Sequence, residues 1–253
     1  MPLPQLGRQT DARSVFEHDA PGACSNVAIM NANGSSLIEF PAPNVCEDDP
    51  TFTPDGTRII FHRFDPVAND EAFWSMDLNG NDRQRIGPCC GDPTVSPDGK
   101  KLSFVGFNGD PTGAALFTSN IDGTNIFQVT PFSFDVAVKQ DWAPDGKHLV
   151  FTIYGDVAID GVSPNIVIIR PDGTHLQQIT NYQGGVAKAT VGSYSPDGRW
   201  IVFRLTDNGT FGLYKIRPDG THLTAILPLS DFRPSFIAWG PRTCDTDCDD
   251  TED

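Results

Sequence analysis

A chain of 253 residues is long for one ordinary domain, yet all-β propellers and barrels reach this size as a single unit with a sizeable core. Its 18 basic and 33 acidic residues leave a formal charge of -15, which argues against a nucleic-acid binder and toward cationic partners or metal ions. No apolar stretch approaches the roughly 18 residues of a membrane helix, so no membrane span is expected.

Residues 1–12 read as an N-terminal tail, and Met1-Pro2-Leu3-Pro4-Gln5 lacks the basic start and apolar core of a signal peptide. From residue 13 one strand-turn-strand phrase recurs. With strands named a to d from the centre of a blade outward, the first copy supplies b near 13–17, c near 26–31 and d near 36–40. The second runs through 50–53, 57–63, 72–78 and 82–86, and the third through 93–96, 100–105, 114–121 and 125–129. The fourth spans 139–143, 147–153, 165–170 and 175–179, the fifth 190–195, 199–204, 211–216 and 222–227, and a lone strand a follows at 234–239.

Two turns punctuate each copy. Pro54-Asp55-Gly56, Pro97-Asp98-Gly99, Pro144-Asp145-Gly146 and Pro196-Asp197-Gly198 join a to b, with Trp239-Gly240-Pro241 as a degenerate fifth. Proline presets the turn, aspartate bonds back to the backbone and glycine takes the left-handed position. A second turn ends at Gly34, Gly80, Gly123, Gly173 and Gly220. A phenylalanine follows each of these four a–b Pro-Asp-Gly turns at a fixed offset, as Phe61, Phe104, Phe151 and Phe203, which predicts core packing between blades. A period in the forties with four strands per copy predicts a five-bladed β-propeller of four-stranded antiparallel blades over 13–241. Its closing blade joins N-terminal strands b to d with the C-terminal strand a. Residues 242–253 form an acidic, cysteine-containing tail.

The phrases Ser96-Pro97-Asp98-Gly99-Lys100-Lys101-Leu102-Ser103-Phe104 and Leu213-Tyr214-Lys215-Ile216-Arg217-Pro218-Asp219-Gly220 resemble the PD40 repeat of TolB-type propellers. The resemblance covers about 13–241 and implies a secreted or periplasmic propeller that acts as a binding platform. Members of that family more often carry six or seven blades, so five is a departure.

Six cysteines follow from the strand map. Cys24, Cys46, Cys89 and Cys90 fall in b–c and d–a connections on one face, whereas Cys244 and Cys248 lie beyond the last strand. Disulfides in an oxidising compartment are expected: a Cys244–Cys248 clip, and either Cys24–Cys46 beside a vicinal Cys89–Cys90 bridge or a crossed pairing. The competing metal reading fits poorly, because adjacent cysteines do not match a zinc ribbon.

The same connections are rich in acids. Asp48, Asp49 and Asp92 are candidate metal ligands, since Asp49 and Asp92 immediately precede innermost strands and calcium takes several oxygen ligands from a rigid rim. In the tail, Asp245, Asp247 and Asp249 have an EF-hand's alternate spacing but lack its glycine and closing glutamate. Catalytic signatures such as Gly-x-Ser-x-Gly and His-Glu-x-x-His are missing from the sequence. His18 and His62 end equivalent b strands, and Asp49, Asp92 and Asp141 are the inward carboxylates a glycan-active propeller would use. Phe107, Tyr154, Tyr182 and Phe232 are candidate partner contacts. The expected function is a secreted, noncatalytic propeller that binds a protein or extracellular polymer, or self-associates. The alternatives are a calcium-binding propeller and a glycan-active hydrolase or lyase.

Overall fold

The computed structural model describes the backbone of 12–16 and residues 24–31, 35–87, 90–109, 113–154, 164–183, 187–234, 237 and 239. Its strands form antiparallel sheets in chain order. The first holds β1 (Ala12–Phe16), β2 (Val27–Asn31) and β3 (Ile38–Phe40). The second holds β4 (Cys46–Phe52), β5 (Arg58–Asp65), β6 (Asp70–Asp77) and β7 (Gln84–Gly87). The third comprises β8 (Gly91–Val95), β9 (Lys101–Phe107), β10 (Ala114–Asn120) and β11 (Phe127–Gln128). The fourth comprises β12 (Val136–Trp142), β13 (Leu149–Ile153), β14 (Asn165–Ile169) and β15 (Gln177–Gln178). The fifth comprises β16 (Lys188–Tyr194), β17 (Ile201–Asp207), β18 (Thr210–Ile216) and β19 (Thr224–Ser230).

Local chemistry makes each sheet. In the four Pro-Asp-Gly turns that join a to b the glycine N–H donates to the carbonyl three residues earlier: Gly56 to Thr53, Gly99 to Ser96, Gly146 to Ala143 and Gly198 to Ser195, each at 2.8 Å. The turn aspartate accepts the N–H two residues on, as Asp55 does from Thr57 and Asp98 from Lys100, both at 3.1 Å. The c–d glycines have a second duty. A side chain at Gly80 would collide with the Phe40 ring of the preceding sheet, and one at Gly123 with the Ile86 carbonyl, so these turns seat one blade against the next.

Alternation along each b strand supplies the rest of the packing. Ile59 and Phe61 meet Val27 and Phe40 of the first sheet, whereas Ile60 points the other way to Leu102 and Phe104 of the third. Leu149 and Phe151 pack on Val105 and Leu116, and Val150 joins Ile201 and Phe203. The four phenylalanines are 0–3 % exposed, as their repeat position predicts. This is a β-propeller, with β4, β8, β12 and β16 innermost.

The segment at 234–239 lies only partly within the described residues. Trp239 N–H donates to Ser193 Oγ at 2.8 Å, and Tyr194 N–H donates to Asp141 Oδ2 at the same distance. Asp141 and Ser193 are equivalent positions in the repeat, so Trp239 occupies the innermost place that follows β16. Pairing of 234–239 with β1, expected to close the ring, falls on residues that include undescribed ones, as does the tail at 242–253.

One difference from the sequence reading is physical. Strand a of the second sheet begins at Cys46, not at residue 50, because β4 runs through a register shift between Asp48 and Thr51. Pro50 has no N–H to lose, and Asp49 takes a left-handed φ of 47°. Asp92 repeats the device before Pro93 with φ 54° and a shift between Gly91 and Thr94.

Candidate functional site

The bulges aim side chains at the propeller axis. Asp92 N–H donates to Asp49 Oδ2 at 2.9 Å, Gln140 Nε2 donates to the Asp92 carbonyl and, at 3.2 Å, to that of Ser103, and Asp141 accepts from Trp142 and Tyr194 N–H groups. Successive innermost strands are thereby laced together. The positive charge of Lys139 acts on Asp49, Asp92 and Asp141. Burial pushes Asp92 up to about 6, opposed by Lys139 and reinforced by the charge of Asp49. Burial likewise takes Asp141 to about 6, against the bonds from Tyr194 and Trp142 and the pull of Lys139. Asp49 is raised too, by burial first, with the Asp92 N–H opposing.

The sign of the Asp92 effect is testable. The folded state holds this proton to a higher pH than the unfolded chain, so stability declines as pH rises from 3.8 to about 6 and stays lowered above that. Asp92→Asn keeps the left-handed backbone, which asparagine tolerates, and removes the buried charge. Urea unfolding at neutral pH is expected to show a gain of about 1–2 kcal/mol for this variant, allowing for solvent at the axis. The gain should vanish at acid pH.

Asp48 does not join this group. Its Oδ1 lies 2.7 Å from His62 Nδ1, and Glu71 Oε1 lies 2.8 Å from His62 Nε2. Burial alone would lower the His62 pKa, but hydrogen bonds and charge from Asp48 and Glu71 raise it above the ordinary 6.5. The imidazolium therefore contributes stability that is complete below 6.5 and is lost as pH climbs through the higher folded value. Unfolding midpoints should fall over that interval, and His62→Gln should flatten the fall. Among the described residues, no group of three or more His, Cys, Asp or Glu side chains is arranged to hold a metal ion. Of the Asp48, Asp49 and Asp92 set, Asp49 bonds the Asp92 N–H whereas Asp48 bonds His62, with the charges of Asp48 and His62 still acting on Asp49.

Glu47, beside Cys46 in β4, is wholly buried. Arg63 Nη1 donates to its Oε1 at 3.0 Å, and Arg83 Nη1 binds the same oxygen. Cys24 and Cys46 form a disulfide, which selects one of the two open pairings for that pair. Cys90 is half-buried, and Cys89, Cys244 and Cys248 lie outside the described residues, as does His18.

The predicted partner contacts divide. Phe107, Tyr154 and Phe232 are 53 %, 41 % and 66 % exposed, at or just beyond the ends of β9, β13 and β19. Tyr182 packs against the core cluster of the fourth and fifth sheets, and its carbonyl accepts from Asn165 Nδ2 at 3.0 Å. Sequence reading missed Val67, 88 % exposed in the β5–β6 connection. A lone valine in a polar loop has no periodicity to mark it.

No protein-family model matches the chain. An uncharacterized protein of Agrobacterium fabrum is 31% identical over 85 residues, 34% of this chain and 26% of that protein. Among solved structures, TolB from Acinetobacter baumannii superposes with a TM-score of 0.66 at 21% identity, over 81% of this chain and 49% of that one. An Agrobacterium tumefaciens structure assigned as TolB gives 0.66 at 17% identity, covering 79% and 73%. Oligogalacturonate lyase in complex with manganese gives 0.58 at 12% identity, covering 80% and 58%. The chain therefore has the TolB-type propeller fold, and it spans about half the length of the Acinetobacter structure and about a quarter of the curated relative. Among the described residues, no helix is long and apolar enough to cross a membrane.

Proposed function

We propose that this propeller is a protein-binding module that works in an oxidising compartment and engages its partner through the rim made by the b–c and d–a connections. One observation carries the reading. Four consecutive sheets each place an exposed apolar side chain on that rim: Val67, Phe107, Tyr154 and Phe232. Single exposed apolar residues are ordinary, but aromatic side chains recurring on one face are the anchors that interfaces use. Acids such as Asp65, Asp70 and Glu71 stand near Val67 in a chain of net charge -15, so the partner is expected to surround its apolar patch with basic residues. The Cys24–Cys46 bridge supports the compartment.

The test uses the purified chain as bait in an envelope extract, beside a variant with serine at all four rim positions. A partner retained by the native chain and lost from the folded variant supports the proposal. Equal retention by both overturns it. A glycan-active reading draws on the axial carboxylates, and it predicts turnover of a polyuronate panel that Asp92→Asn abolishes with folding intact.

A further inference from the structure

The Cys24–Cys46 bridge stands beside a surface cavity of about 230 Å³. Among the described residues that cavity is lined by Cys24 and Asn26, at the end of the β1–β2 connection, and by residues 41–45, the whole β3–β4 connection. None of these residues is charged. The walls are held in place by local chemistry. Pro41 and Pro43 fix two φ angles, Asn44 turns the chain through a left-handed φ of 67°, and Val45, 6 % exposed, anchors the end of the connection in the core. Ala42 N–H donates to Asn26 Oδ1 at 3.0 Å and Val45 N–H to the Ala42 carbonyl at 3.3 Å, so one wall is bonded to the other.

The two cysteines are placed unequally. Cys46 opens β4 and pairs with Phe64, which fixes its backbone in the ladder, and it is not part of the cavity lining. Cys24 precedes β2, is half-buried and lines the cavity. A bridge sealed in a core resists thiols because no nucleophile reaches its sulfurs, whereas a bridge open to solvent exchanges.

We propose that Cys24 is a thiol-exchange site, at which a small uncharged or cationic thiol forms a mixed disulfide. The thiolate attacks Cys24 Sγ and a new S–S bond forms. The Cys24–Cys46 bond breaks, and its electron pair leaves on Cys46 Sγ, which takes a proton from water. A second thiol attacks the mixed disulfide and completes the exchange: two external thiols become one external disulfide, and their two electrons leave two thiols on the protein. Glu47 N–H donates to the Ser25 carbonyl at 3.0 Å, which keeps Cys46 close enough to Cys24 for the bridge to re-form when thiol is removed. Charge sets the class of thiol. The lining carries none, and the field of a chain of net charge -15 repels an anionic thiol such as glutathione while it admits an aminothiol. The site needs no protein partner, so it stands apart from the rim reading.

The probe is cysteamine, added to the folded chain at mildly alkaline pH, quenched with N-ethylmaleimide and followed by peptide mass mapping. Cysteamine is expected on Cys24 and maleimide on Cys46, at a rate proportional to thiol concentration and unchanged in mild urea. Glutathione should react about tenfold more slowly at low salt, and the gap should close as salt rises. Ala42→Phe places a ring in the cavity while keeping the backbone N–H, and it should slow the cysteamine reaction about tenfold with the urea midpoint unchanged. The urea dependence decides the matter even where that variant folds poorly, because attack on an opened chain accelerates steeply with denaturant and attack through the cavity does not. Four results overturn the site: no adduct on Cys24, an adduct on Cys46 in its place, a rate that climbs with urea, or equal rates in the native chain and a folded Ala42→Phe. Equal rates for cysteamine and glutathione at low salt overturn the thiol class.

Discussion

Glu47→Ala is expected to destabilise the propeller by about 3 kcal/mol, near the lower end of what breaking a buried ion pair costs. The carboxylate is fully enclosed, and one of its oxygens serves both Arg63 and Arg83. Neither arginine can easily leave. The Arg63 guanidinium lies 4.9 Å over the Trp74 ring and that of Arg83 5.6 Å over Phe61, while Arg83 Nε also donates to the Gly80 carbonyl at 3.2 Å. Removing the carboxylate leaves two cations held side by side with no counter-charge, and the turn that seats the second blade on the first loses its brace. The arginine side chains are 24% and 23% exposed, so water recovers part of the loss, which sets the estimate at the lower end. Glu47→Gln keeps an acceptor and should cost less. By contrast, Asp82→Asn, which loosens the more exposed pair with Arg58 at 2.6 Å, should change stability far less than Glu47→Ala does. Urea unfolding of the three variants decides the order, and an Asp82→Asn effect equal to that of Glu47→Ala would refute the argument.

Turn chemistry explains why so much of the fold was legible in the sequence. Pro-Asp-Gly fixes a hairpin from three adjacent residues, and the fixed offset to Phe61, Phe104, Phe151 and Phe203 then fixes which way each strand faces. What stayed hidden depends on contacts between distant segments. Residues 46–49 read as a loop leading into strand a at 50–53, and only the pairing of β4 with β5 reveals a bulge that carries the strand back to Cys46. Glu47 reads as one acid among many, since its arginines come from β5 and from the β6–β7 turn. The axial carboxylates were legible as inward positions, but their grouping around Lys139 rests on how neighbouring blades align.

Reducing the Cys24–Cys46 bridge, or replacing both cysteines by serine, is expected to loosen the first sheet selectively and to cost about 3 kcal/mol for a closed loop of this size. The bridge spans a sequence separation of 22 and ties Cys24, in the segment leading into β2, to the first residue of β4. The first sheet needs that tie more than its neighbours do. It has three described strands, and among its described side chains the core contribution is Val27 and Phe40, with Ile29 beside them, against Ile59, Phe61 and Met76. The fourth sheet, by comparison, is packed through clusters on both faces. Hydrogen exchange should therefore show protection lost in β2 and β3 on reduction, while β13 and β14 retain theirs. Uniform loss would mean that the bridge acts on global stability alone, and unchanged exchange would mean that it does not hold the sheet. On the function proposed above, a first sheet that depends on an oxidised pair keeps its packing only where thiols are not held reduced.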